Sequence, residues 1–179
     1  MLNLFFFSLQ IIIKCDKVVY KKKGDIMNKF MKIAKENAHK GCTCGEGGPF
    51  GAVIVDSNGN IIANGNNKVL INNDPTAHAE VVAIRNACQK LNTYDLSDYI
   101  LYTSCEPCPM CLSAIIWANI KTVYYGCNKN DAGEIGFRDD IIYQYLKGEN
   151  KDLINLKQMD RDECIQAFEE YKKENGVIY

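Results

Sequence analysis

The chain has 179 residues, 47% of them hydrophobic and 24% charged, with a formal net charge of −1. That size suits one domain of ~100–200 residues with a sizeable core. The near-zero charge, with arginine confined to Arg85, Arg138 and Arg161, excludes the broad basic footprint of a general nucleic-acid binder.

Nine cysteines, an odd number placed irregularly, point to thiols in a reducing, cytoplasmic setting rather than to a disulfide framework. Taken in chain order, the apolar run Leu4 to Ile13 is ~10 residues, short of the ~18 that would suggest a membrane span. It also lacks the basic start and small-residue cleavage site of a signal peptide. KKKGDIM (21–27) back-translates to an A-rich stretch with a ribosome-binding-site pattern just before an ATG codon. Residues 1–26 are therefore expected to be a translated leader, with Met27 as the start; a genuine flexible extension is the alternative.

Apolar residues at helical spacing from Asn28 to Lys40 predict a helix that Gly41 ends. FGAVIVD (50–56) and IIANGNN (61–67) predict a hairpin about the SNGN turn. Helices are predicted at 78–91 and 108–119, with strands at 100–104 and 122–127. The tail carries helical segments near 139–147 and 160–174. A hairpin followed by strand–helix alternation implies a three-layer α/β/α sandwich on a mixed, about five-stranded sheet. In such sheets ligands bind beyond the carboxyl ends of parallel strands.

Two short stretches carry chemistry at such positions. In SCEPCPMCL (104–112), Cys108 and Cys111 share a helix face in its first turn, and Pro107 or Pro109 suits the first helical position. In TAHAEV (76–81), His78 opens a helix behind Asp74-Pro75-Thr76, residue types that cap helices well. A helix N-terminus favours thiolate. Two thiolates and an imidazole form a borderline-soft set suited to Zn²⁺, and three protein donors leave the fourth tetrahedral position open, as in catalytic sites. Glu80 falls where a carboxylate would shuttle protons. H-x-E with P-C-x-x-C is the signature of zinc nucleobase deaminases. Cys105 is the competing fourth ligand, but a closed site would leave Glu80 without a role. Cys88 and Cys164 fall within helical patterns and are expected in the core, and His39 on a solvated helix face.

The sequence resembles the cytidine deaminase-like superfamily and, more narrowly, its guanine deaminase branch. The resemblance rests on GGPFGAVIVD (47–56), NDPTAHAEVVAIRNAC (73–88), LYTSCEPCPMCLSAIIWA (101–118) and GFRDDIIY (136–143). It covers about 27–179, which would be the deaminase domain. It implies zinc-dependent hydrolysis of guanine to xanthine and ammonia, with His78, Cys108 and Cys111 on the metal and Glu80 catalytic. The family pattern further implies Asn67, the backbone N–H of Ala79 and Asp131 as substrate contacts. Asp131 could accept the N–H donors of guanine, and Phe50 could pack on the purine. The plainer roles of core aromatic for Phe50, turn residue for Asn67 and loop residue for Asp131 stay open. Tyr179, an aromatic terminus as in guanine deaminase-like chains, is expected to close the pocket, in its own subunit or across a homodimer. Two rivals are a tRNA-specific adenosine deaminase, whose motif reads more like V-T-L-E-P-C-x-M-C, and a non-catalytic zinc-stabilised module. Intact Glu80 argues against the second.

Overall fold

The computed structural model describes residues 27–179; the leader expected over 1–26 lies outside them. The chain divides into two compact units, one up to Asn128 and a second from Lys129 to Tyr179.

The first unit is built on a mixed sheet of four strands, β1 (Gly51–Val55), β2 (Ile61–Asn66), β3 (Ile100–Cys105) and β4 (Thr122–Cys127), ordered β2-β1-β3-β4. β1 runs antiparallel to both β2 and β3, whereas β3 and β4 are parallel. Alternation along β1 explains why all five of its residues are buried. Val53 and Val55 join Phe30 and Ala34 of helix α1 (Lys29–Thr43) on one face. Ala52 and Ile54 join Ala79, Ala83, Ala87 and Ile115 of helices α3 (Ala79–Leu91) and α4 (Pro109–Trp117) on the other. The expected three layers are therefore present. A short α2 (Val69–Asn72), which carries no strong sequence pattern, precedes α3.

Two glycines set the layer spacing. A Cβ on Gly51 would lie 2.2 Å from the Ala34 carbonyl oxygen of α1. A Cβ on Gly65 would lie 2.1 Å from the Ala79 carbonyl oxygen of α3. Each helix backbone rests directly on its strand, an approach that only glycine permits.

Two local expectations need correction. α1 continues past Gly41 to Thr43, and Gly41 is buried inside it. A Cβ there would meet Asn66 Nδ2 at 2.9 Å, so this glycine serves close packing and not termination. The β1–β2 hairpin forms about residues 57–60 as expected. Asp56 organises it by accepting hydrogen bonds from the amides of Asn58 and Asn60 and from Asn60 Nδ2. The fifth strand is absent among the described residues. Ile154 has extended backbone (φ −139, ψ 133), but the segment around it joins no ladder.

The second unit holds α5 (Lys129–Glu134), which sequence patterning missed, α6 (Asp140–Leu146), a 3₁₀ turn (Lys151–Leu153) and α7 (Arg161–Lys173). α7 buries no residue, and Cys164 on it is exposed, against the core position expected for it. Helical periodicity shows which residues share a face, not whether anything covers that face. Cys88 does pack on the core, and His39 is exposed, as expected. Among the described cysteines, seven are free thiols, in line with the thiol expectation.

Candidate active site

The starts of α3 and α4 carry the site. α3 is seated on β2 by Gly65 and begins immediately after His78, whose backbone is still extended (φ −69, ψ 157). Asp74 and Thr76 do not cap this helix. Instead Asp74 Oδ1 accepts from the Thr76 amide and hydroxyl at 2.8 and 2.7 Å, bracing the loop that delivers His78. Bonds from Thr76, its hydroxyl foremost, and the Arg85 guanidinium hold the Asp74 carboxyl below its usual value. β3 delivers the second helix. Cys108 is the residue before α4, Pro109 takes the first helical position, and Cys111 falls in the first turn.

The donor atoms of His78, Cys108 and Cys111 lie within 4.8 Å of one another. His78 Nδ1 is 3.6 Å from Cys108 Sγ and 3.5 Å from Cys111 Sγ. Zinc bonds of ~2.3 Å to sulfur and ~2.0–2.1 Å to nitrogen at a tetrahedral angle would separate such donors by about 3.6 Å. The residues therefore fit a zinc ion in both chemistry and spacing. Cys105 is not part of the cluster, and its thiol points to the Asn128 carbonyl at 3.7 Å.

The electrostatics suit a cation as well. The Cys111 thiol hydrogen bond brings Cys108 down to about 4, with help from His78. Cys111 moves the opposite way through the same bond and through burial. Glu80 is 4% exposed, and burial raises its carboxyl above the usual range. Its two oxygens have different partners. Oε1 accepts from the Thr103 hydroxyl at 2.9 Å, while Oε2 faces the Cys111 thiol at 3.4 Å. A carboxylate inclined to keep a proton, set against metal donors, can act as general acid and base.

The structure brings His78, Glu80, Cys108 and Cys111 together as the sequence predicts. Asn67 is buried, and its Oδ1 accepts from the amides of Gly48 and Val69, so it ties two loops. Phe50 is half-buried against the core on the α3 side. Ala79 is fully buried at the first helical position, where an amide has no intrahelical acceptor. Asp131 and Tyr179 belong to the second unit, where both are exposed. Sequence reasoning missed Thr103. The available signal was alternation along β3, which places Leu101 and Thr103 on the face that α3 covers.

A family model described as the cytidine and deoxycytidylate deaminase zinc-binding region matches residues 25–127. The chain is 51% identical over 144 residues to the guanine deaminase of Bacillus subtilis (strain 168), covering 80% of this chain and 92% of that one. It is 41% identical over 148 residues to a tRNA-specific adenosine deaminase of Haemophilus influenzae, covering 83% and 84%. The crystal structure of guanine deaminase from Bacillus subtilis superposes with a TM-score of 0.77 at 49% identity, over 82% of this chain and 95% of that one.

Proposed function

Because the chain belongs to the cytidine and deoxycytidylate deaminase zinc-binding family, we propose that it is a zinc-dependent guanine deaminase, converting guanine and water to xanthine and ammonia. The observation that carries the reading is Glu80, a buried carboxylate with one oxygen turned to the His78, Cys108 and Cys111 donors. A purely structural zinc site has no use for it.

When bound, Zn²⁺ supplies the Lewis acidity that lowers the pKa of a water towards ~7. Glu80 takes a proton from the attacking water at Oε2 and passes it to a ring nitrogen as oxygen adds at C2. It then takes the remaining proton from the oxygen added at C2 and hands it to the amine; the C2–N bond breaks, the C2 carbonyl forms, and ammonia leaves. The deaminase domain spans residues 27–179. The Ala79 amide donates to an acceptor on the purine, and Asn67, while bracing its loops, borders the base. Phe50 packs on the ring, and Asp131 accepts guanine N–H donors. Tyr179 closes the pocket. The acidic Asp131, Asp139 and Asp140 suit a donor-rich base better than a phosphate backbone.

The working form is a homodimer of this chain. Its support is apolar exposure on α4, where Leu112 and Ile116 are 45% and 65% exposed. The free thiols support a cytoplasmic location. Among the described residues, no helix is long and apolar enough to cross a membrane.

The deciding experiment offers zinc-loaded protein guanine, adenine and a tRNA anticodon stem-loop side by side. Guanine should give xanthine and ammonia one for one. Adenine should react poorly, because it lacks the C2 amine, and inosine should not form in the stem-loop. Efficient tRNA editing without guanine turnover would transfer the chain to the adenosine-deaminase reading.

A further inference from the structure

Thr103 is 1% exposed in the interior strand β3, opposite Ala52 on β1 and beside Tyr125 on β4. Its hydroxyl has one proton and two acceptors in reach, Glu80 Oε1 at 2.9 Å and the Gly51 carbonyl at 3.5 Å. The shorter bond, to the carboxylate, takes the proton. Glu80 has three rotatable side-chain bonds, yet its reactive oxygen must hold one place to move protons efficiently. Helix α3 fixes only its Cα. Thr103 supplies a second fixed point from a different element, paired on both sides within the sheet.

We propose that Thr103 is a positioning residue that pins Oε1 of Glu80 and thereby aims Oε2 at the His78, Cys108 and Cys111 donors. The proposal rests on the deaminase reading in one respect, that Glu80 is the working carboxylate. The division of its oxygens makes the case: one is anchored to the sheet, and the other is left for chemistry. Strand register makes the anchor possible. Leu101 faces the α3–α4 core and Tyr102 faces α1, so alternation turns Thr103 to the α3 face. A slip of one residue in β3 would place Tyr102 or Ser104 there instead.

The test compares Thr103→Val, which replaces the hydroxyl by a methyl of similar size, with Thr103→Ser, which keeps the hydroxyl. Three quantities are read for each: zinc per chain, kcat and KM for guanine, and the Glu80 conformation in crystal structures of the zinc-loaded proteins. T103V should keep one zinc and a KM within about threefold, while kcat falls ~10–100-fold, the usual effect of removing a partner that orients a catalytic group. Its Glu80 carboxylate should occupy more than one conformer. T103S should recover kcat to within about threefold of the parent and show one conformer. The proposal is overturned if T103V keeps parental kcat with a single Glu80 conformer, if T103S is as impaired as T103V, or if T103V loses its zinc. Should T103V fail to fold, Thr103→Ala is read in the same way. If the parent protein does not turn over guanine, the substrate reading fails by itself, and the Glu80 conformers in the variants still decide the role of Thr103.

Discussion

A single methyl group at Gly65 should disable the site without touching it. In Gly65→Ala the new Cβ would lie 2.1 Å from the Ala79 carbonyl oxygen, 2.6 Å from the Ala83 amide nitrogen and 3.0 Å from Ala83 Cβ. All three belong to the helix backbone or its first side-chain atom, so no flexible side chain can yield. α3 must retreat by about 0.9 Å before the worst overlap reaches 3.0 Å, the tightest limit that real Cβ atoms respect. Overpacking of this kind costs about 1–3 kcal/mol. At ~2–4 °C per kcal/mol for a protein of this size, Tm should fall by roughly 2–12 °C. The catalytic loss should be larger in proportion. Ala79 lies between His78 and Glu80, and a displacement near 1 Å can cost ~10²-fold in rate. Gly51→Ala is the control. Its Cβ would lie 2.2 Å from the Ala34 oxygen and 2.3 Å from the Ala38 nitrogen, so it displaces α1, which carries no site residue. Calorimetry, zinc content and kcat on guanine are measured for both. G65A should lose far more kcat than G51A at a similar loss of Tm. Parental kcat in G65A, or equal losses in the two variants, would refute the idea that helix-on-strand spacing sets the site.

Cys105→Ala should keep one zinc per chain and most activity, whereas Cys108→Ala should lose both; metal analysis and a guanine assay distinguish them. Glu80→Gln should hold zinc yet lose at least the ~10²–10⁴-fold that general acid–base catalysis contributes, and near-normal turnover would remove Glu80 from the mechanism. Asp74 is held below its ordinary value of 3.8, so its bonds stabilise the fold above that pH, and the benefit disappears as pH falls through the lower folded value. The Tm difference between the parent and Asp74→Ala should therefore be widest near neutrality and narrow as pH approaches 3.8 and below. Removing the last five residues should damage catalysis while leaving Tm unchanged, and unchanged kinetics would retire Tyr179 as the pocket's lid.

The grouping of His78, Glu80, Cys108 and Cys111 was legible in the sequence because their geometry is local. Cys108 and Cys111 are one helical turn apart, and His78 and Glu80 straddle one helix start. The choice of thiolate, imidazole and carboxylate itself states the chemistry. Most element bounds were legible for the same reason, since apolar periodicity is a short-range signal. What the sequence alone did not settle involves partners far apart along the chain. Thr103 meets Glu80 across 23 residues, and no pattern within β3 announces the carboxylate waiting opposite. Gly41 looks like a helix end and Gly65 like an ordinary strand position until an asparagine or a helix is seen resting on them. Cys164 shares a helical stripe with apolar neighbours but remains exposed, because a stripe is buried only when another element packs against it. Tertiary structure decided these points: strand order and register choose which face each side chain meets, and a contact exists only where two distant segments are brought within bonding distance.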